Sequence, residues 1–117
     1  MLYIAIAHLC NSMPKNFKIT DPRAKIFKAL SCEHRVHIIE ILRYGEHSMS
    51  EIAEFMEIHP SVVSRHLGIL QAAGLIRSRR QGIEVFYSLA SEKVVKLLVC
   101  AAEIIEDINK NLTGGKL

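Results

Sequence analysis

The segment SVVSRHLGIL, residues 61 to 70, combines polar and apolar side chains at helical spacing. Its apolar positions recur at i, i+4 and i+7, which is the spacing of one buried helical face: Val63, Leu67 and Leu70. Its hydrogen-bond donors fall at four other positions: Ser61, Ser64, Arg65 and His66. The segment therefore predicts a helix that packs on one side and presents short donors and a cation on the other.

Basic residues are concentrated around this helix. Four arginines and no carboxylate lie between Ile58 and Ile83, namely Arg65, Arg77, Arg79 and Arg80. The formal net charge of the chain is only +3, so the distribution of charge says more than its sum. A patch of one sign raises the local concentration of a polyanion. An ordinary solvated basic face is the alternative interpretation of this segment.

The residues before this helix predict three further helices. Asp21 caps the first one, with Pro22 at its first position, and SCEH at 31 to 34 separates it from a second helix that ends at Gly45. SMSE at 48 to 51 is a capping box that opens the third helix. A short turn, EIHP, leads to the quoted helix, which His59 or Ser61 caps and which ends before Gly74. Two helices joined by so short a turn predict a helix-turn-helix.

The residues after this helix predict a β-hairpin. Within LIRSRRQGIEVFYSLA, residues 75 to 90, RRQG is a turn, with Gly82 available for positive φ. Ile83, Val85 and Tyr87 alternate with polar or outward residues in the second strand. A hairpin directly after a helix-turn-helix is a wing, and we expect its tip at Arg79, Arg80 and Gln81.

The fold class predicted is mostly α with a small β-hairpin: a dimeric winged helix-turn-helix in the order α-α-α-α-β-β-α. We expect an N-terminal extension at 1–20, which could form a helix, the domain at 21–112 and a flexible tail at 113–117. The last helix, Ser91 to about Asn111, carries a wide apolar stripe that includes Leu97, Leu98, Ala101, Ile105 and Ile108. Such a stripe needs a second covering surface, and a second copy of the chain is the simplest one.

This order of elements predicts binding to double-stranded DNA. A helix enters the major groove when the side chains on its outward face are short. Serines meet this condition and can donate to phosphates or base edges. Wing arginines would contact the DNA backbone or minor groove. The expected DNA-contacting residues are Ser48, Ser50, His59, Ser61, Val62, Ser64, Arg65, His66, Arg77, Arg79, Arg80 and Gln81.

Residues 22 to 110 resemble the ArsR/SmtB family of winged-helix repressors. The resemblance rests on S-x-x-S-R-H-L at 61–67, A-G-L-I at 73–76 and R-x-G-x-x-x-x-Y-S-L at 80–89, which are specific together. It implies a cytoplasmic homodimer that represses operons from inverted repeats and releases DNA on binding an inducer such as a metal, metalloid or oxidant. It also implies a dimer interface from the first and last helices: Ile26, Leu30, Leu97, Leu98, Ala101, Ile105 and Ile108.

Two sensing sites known in that family are replaced here. Ser48 and Ser50 stand where thiolate sensors carry C-x-C, and serine hydroxyls are poor ligands for soft metals. Ser91, Lys93, Ile104 and Asp107 stand at the zinc positions of the last helix. Cys100, with Cys10 of the N-terminal segment, is the remaining candidate for a redox site or a thiol-bound metal or metalloid. Cys32 with Glu33, His34 and His37 is a second cluster that could hold a metal, and capping and solvent contacts are its alternative role. A small residue at the edge of the dimer contact is the alternative role for Cys100.

Several classes of function are set aside by the sequence. Three scattered cysteines without C-x-x-C argue against disulfides and zinc fingers and favour a cytosolic setting. The apolar start MLYIAIAHLC is too short to span a bilayer. No base–nucleophile arrangement suggests an enzyme. Two alternatives stay open: a winged-helix regulator without metal sensing, and a winged helix that binds protein instead of DNA.

Overall fold

A computed structural model describes residues 21 to 113, with side chains to residue 112. Five helices and three strands follow one another: α1 (Pro22–Ala29), α2 (Glu33–Leu42), β1 (His47–Ser48), α3 (Met49–Met56), α4 (Pro60–Ala72), β2 (Ile76–Gln81), β3 (Glu84–Leu89) and α5 (Lys93–Thr113). This is the predicted winged helix-turn-helix with one additional strand. The predicted N-terminal extension, Cys10 within it and the end of the tail lie outside the described residues.

The helix starts follow the sequence signals. The Asp21 carboxylate accepts a hydrogen bond from the Arg23 amide at 2.9 Å, and Pro22 begins α1. Ser48 and Glu51 form the capping box of α3, with the Ser48 hydroxyl accepting from the Glu51 amide at 3.1 Å and a Glu51 carboxylate oxygen accepting from the Ser48 amide at 2.9 Å. These bonds satisfy amides that a helix start leaves without intrahelical partners.

The turn between α3 and α4 fixes the helix-turn-helix. Glu57 adopts φ 54, the left-handed conformation, immediately after α3, and His59 is the cap of α4. Gly74, with φ 81, follows the end of α4 as predicted and redirects the chain into β2. The two helices therefore meet through three residues, and the N-terminal end of α4 stays accessible.

The wing differs in detail from the prediction. β2 and β3 pair antiparallel, with Arg79 opposite Phe86 and Arg80 opposite Val85. Gly82, with φ 64, and Ile83 form the two-residue turn, which places a glycine at the first central position as a type II′ turn requires. The prediction of RRQG as the turn is therefore wrong: Arg79, Arg80 and Gln81 belong to β2, and the tip is Gly82–Ile83.

The strand that the sequence did not predict, β1, pairs antiparallel with the other edge of β3. His47 lies opposite Tyr87 and Ser48 opposite Phe86. The wing is consequently joined to the start of α3 by backbone hydrogen bonds. The wing supplies two of the three strands of this sheet, whose order is β1-β3-β2.

One apolar core lies between α2, α3, α4 and the start of the sheet. Its fully buried side chains are Ile38, Ile39, Ile52, Val63, Leu67 and Leu70. Val94, at the start of α5, is also buried in this cluster and Leu98 packs against it, whereas α5 is exposed from Val99 onward. In the described part of the chain, no helix is long and apolar enough to cross a membrane.

Candidate nucleic-acid interface

The outward face of α4 is slim and polar. Val63, Leu67 and Leu70 are 0% exposed and define the inward direction of the helix. With 100° per residue, the opposite direction falls on Ser61, Arg65, Gly68 and Ala72, all of them exposed. Along this face only Arg65 extends beyond a short side chain. A second macromolecule can therefore approach the α4 backbone closely, with one guanidinium available at the centre.

The first turn of α4 is held by a histidine cap. His59 Nδ1 accepts a hydrogen bond from the Ser61 amide at 3.1 Å and lies 2.8 Å from the Ser61 hydroxyl oxygen. Because Nδ1 accepts the amide N–H, the ring proton of the neutral form is on Nε2. The sequence left His59 and Ser61 open as the cap, and the structure assigns His59. Val62 is half-buried beside them.

His66 does not lie on the outward face of α4. Its Nδ1 lies 3.3 Å from Arg35 Nη1, and its ring centroid is 5.4 Å from that of His34, both on α2. Burial, and then the charges of Arg35, His34 and Arg65, lower its pKa below the ordinary value. The prediction that His66 reads the groove therefore needs correction, because the ring packs between helices.

Ser64 and Ser50 line a cleft between α4 and the wing. Its other lining residues are Met49, Ile83, Glu84, Val85 and Tyr87. Both serines are exposed, so their hydroxyls remain available to a ligand in the cleft. Ser64 thus lies toward the wing and Ser61 toward the centre of the outward face, and the serines of α4 serve two neighbouring surfaces.

The prediction that Ser48 contacts DNA is wrong. It is only 3% exposed, and both its amide and its hydroxyl are occupied by the capping box. The sequence had given Ser48 both roles, cap and contact. Burial leaves it only the cap.

The wing arginines differ in their surroundings. Arg77 donates to the carbonyl oxygen of Ala90 at 3.0 Å, at the base of the sheet. Arg79 forms an ion pair with Glu46, at 2.7 Å, although the sequence shows no carboxylate between residues 58 and 83. Arg80 is exposed, and Gln81 accepts from Arg79 Nη1 at 2.7 Å. Within residues 21 to 112, Arg65 and Arg80 have no carboxylate partner, as the sequence predicts, whereas Arg79 is paired with a carboxylate.

A second surface, which is apolar, lies between α1, α2 and α5. A groove there is lined by Phe27, Leu30, Val36, Glu40, Leu97, Leu98, Ala101, Ala102 and Ile105. Ile105 is 58% exposed and Ile108 50%, which is unusual for isoleucine in a structured helix. All seven expected dimer residues retain some accessible surface in the single chain, with Ile26, Leu30, Leu97 and Leu98 half-buried.

The two cysteines in the described residues lie on different helices. Cys32 is the half-buried cap residue of α2 and makes no side-chain cap hydrogen bond, and Cys100 is exposed on α5. Among residues 21 to 112, no group of three or more His, Cys, Asp or Glu side chains could hold a metal ion. The described chain alone therefore offers thiols, and no assembled metal site.

Residues 32–78 match the family model of bacterial regulatory proteins of the arsR family. The biofilm growth-associated repressor of Agrobacterium fabrum is 32% identical over 86 residues, which cover 74% of each chain. The chain belongs to the ArsR family.

Other members of the ArsR family agree with the fold. The transcriptional repressor SmtB of Mycobacterium tuberculosis is 31% identical over 88 residues, and this chain spans 65% of its length. A homodimeric winged helix-turn-helix DNA-binding domain from Mycobacterium bovis superposes with a TM-score of 0.70 at 27% identity, covering 78% of this chain and 84% of that one. These similarities support a DNA-binding transcriptional regulator with this fold.

Sequence reasoning did not place Glu46, His34 and Arg35 beside α4 or the wing. Each is a charged or titratable side chain that contacts α4 or the wing from a distant part of the sequence. A gap of 33 residues separates Glu46 from Arg79, and local patterns carry no signal for such a pair. Only the pairing of β1 with β3 brings them together.

Proposed function

We propose that the protein is a DNA-binding transcriptional repressor of the ArsR type, which binds an inverted-repeat operator as a homodimer. The observation that carries the proposal is the outward face of α4, with Ser61, Arg65 and Gly68 exposed opposite a fully buried apolar side. Such a face fits the major groove, and Arg65 has the reach and the geometry to bond a guanine edge. The likeness to two repressors, SmtB and the biofilm growth-associated repressor, and to the DNA-binding domain from Mycobacterium bovis supports it.

Two copies would place two such faces on one duplex. The apolar groove beside α5 supplies the surface for the second copy, through Ile26, Leu30, Leu97, Leu98, Ala101, Ile105 and Ile108. The homodimeric neighbour from Mycobacterium bovis supports this assembly. A two-fold dimer reads a pseudo-palindrome whose half-sites are about one helical turn apart, or a multiple of that. We place the repressor in the cytoplasm, where its operator would be.

The proposal is tested by fluorescence anisotropy with the DNA upstream of the gene. We expect tight binding to that duplex, weaker binding to a scrambled duplex of equal length, and a steep loss of affinity with salt. Equal affinity for both duplexes would leave only non-specific binding. Absence of binding at low salt would favour a winged helix that binds protein.

We further propose that a thiophilic metal, metalloid or oxidant releases the DNA through Cys100, with Cys10 as partner. The exposure of the Cys100 thiol supports this choice. Arsenite, zinc and a thiol oxidant are titrated in turn into the complex, with Cys100→Ser, Cys32→Ser and Cys10→Ser as matched variants. Release that Cys100→Ser abolishes supports the proposal. A complex that none of the three dissociates would instead identify a regulator without this sensing.

A further inference from the structure

Arg79 is the most constrained side chain of the wing. Its Nε donates to Glu46 Oε2 and its Nη2 to Glu46 Oε1, both at 2.7 Å, so the carboxylate is bound by two parallel hydrogen bonds. Its Nη1 donates to Gln81 at 2.7 Å, and its guanidinium carbon lies 4.8 Å from the Phe86 ring centroid. Hydrogen bonding by Arg79 lowers the pKa of Glu46, consistent with a persistent ion pair.

Arg80, the next residue, has a different environment. Neighbouring side chains of a strand point to opposite faces, so Arg80 shares the face of Ser78, which accepts from Gln71 of α4 at 2.9 Å. Arg80 is exposed, and its side chain forms no hydrogen bond or ion pair with another residue in the part of the chain that the structure describes. Arg80 therefore lies on the side of the wing that faces α4.

We propose that the Glu46–Arg79 pair positions the wing on the body of the protein, and that Arg80, not Arg79, supplies the wing's phosphate contact. This inference rests on the proposed function. Glu46 immediately precedes β1, so the pair adds a side-chain link beside the backbone pairing of β1 with β3. A phosphate would have to displace a bidentate carboxylate to reach Arg79, whereas Arg80 has nothing to displace.

The Glu46–Arg79 pair is expected to contribute little to the stability of the fold. Both side chains are partly accessible, and exposed ion pairs contribute little to global stability. The effect of the pair is therefore expected on DNA affinity: a wing held in its binding position loses less conformational entropy when DNA binds. Glu46 and Arg79 are positioning residues in this account.

The salt dependence of DNA affinity separates the two arginines. We expect Arg80→Ala to reduce the slope of log K against log salt by about 0.9, the value of one lost phosphate contact. Arg79→Ala should leave that slope unchanged and weaken binding several-fold at every salt concentration. Arg79→Lys should behave like Arg79→Ala, because an ammonium retains the charge but cannot form the bidentate bond.

Glu46→Gln provides the sharpest contrast with simple electrostatics. It removes a negative charge close to DNA, which alone would strengthen binding; the positioning role predicts that binding weakens several-fold. In the double variant with Arg79→Lys the loss should not increase, because both changes break the same pair. Tighter binding by Glu46→Gln, or an Arg79→Ala slope reduced as much as that of Arg80→Ala, would overturn the inference.

Hydrogen exchange of the protein without DNA tests the pair independently of the proposed function. We expect faster amide exchange in β2 and β3 of Glu46→Gln, with unchanged exchange in α4. Unchanged exchange in the wing would contradict the positioning role even if DNA binding is confirmed. Conversely, faster wing exchange in a protein that binds no DNA would refute the proposed function and retain the structural pair.

Discussion

The helices α4 and α5 both leave one face uncovered, and the two faces have opposite chemistry. The exposed face of α4 carries a serine, an arginine and two residues with little or no side chain. The exposed face of α5 carries large aliphatic side chains, among them Ile104, Ile105 and Ile108. A slim polar face suits a hydrated polyanion, whereas a broad apolar face gains free energy only by leaving water.

The exposed faces of α4 and α5 fit different partners. Around α4 the polar side chains are already arranged by local hydrogen bonds, such as the His59 cap, so this surface is complete in one chain. Along α5 the core contacts end at Leu98 and the helix is exposed from Val99 onward, so this surface is incomplete in one chain. A second copy would complete α5, and DNA would cover α4.

The largest effect is expected on α5. Ile105→Glu should convert the dimer to monomers, because it places a charge in an apolar interface without a partner. Ile105 is already 58% exposed in the single chain, so the fold of the monomer should survive. Sedimentation velocity measures the change, with Lys96→Glu on the polar side of α5 as control. Dimers of normal stability in Ile105→Glu would move the interface elsewhere.

The next effect concerns the centre of the α4 face. Arg65→Ala should weaken binding to the operator by about 1–3 kcal/mol, which is roughly 5- to 150-fold, and weaken non-specific binding far less. Lys110→Ala, at the far end of α5, removes the same charge and serves as control. Equal losses on operator and scrambled DNA would reduce Arg65 to a phosphate contact.

A smaller effect is expected from the two serines at the start of α3, of which Ser48 caps the helix and Ser50 is exposed. Ser48→Ala should lower the free energy of unfolding by about 0.5–2 kcal/mol, because the α3 cap is lost. Ser50→Ala, at an exposed site, should change it by less than about 0.5 kcal/mol. Urea denaturation measures both. A normal stability for Ser48→Ala would show that the capping box contributes little, and would reopen the role of this serine.

The smallest effect is expected from His66. Its pKa is lowered in the folded protein, so the unfolded chain binds more protons and stability falls as the pH drops below about 6.5. His66→Gln retains an acceptor for Arg35 but cannot titrate. The variant should therefore lose less stability than the parent protein between about pH 7.5 and pH 5.5. Parallel pH profiles in thermal denaturation would contradict this.

Local chemistry explains which elements could be predicted from sequence. The Asp21–Pro22 start, the Ser48–Glu51 box and Gly74 each satisfy a backbone requirement within a few residues, so the pattern alone predicts the helix ends. The inward and outward sides of α4 follow from apolar periodicity in the same way. The order of the elements and the apolar stripe of the last helix predicted DNA binding and a dimer, and the family resemblance implied the same.

The remaining details depend on contacts distant in sequence. The wing turn is shifted by the left-handed Gly82, which places Arg79 opposite Phe86 and within reach of Glu46. His66 lies at the side of α4 against Arg35 and His34 of α2, which are about thirty residues away in the sequence. A two-residue strand such as β1 has too few residues to show a period. These features required the assembled fold.

The most direct test of the two-face account is the mass of the protein–operator complex by sedimentation of labelled duplex, for the parent protein, Arg65→Ala and Ile105→Glu. The account predicts two chains per duplex for the parent protein. It predicts free dimers with little bound duplex for Arg65→Ala, and single chains with weakened binding for Ile105→Glu. One chain per duplex in the parent protein, or two in Ile105→Glu, would contradict it.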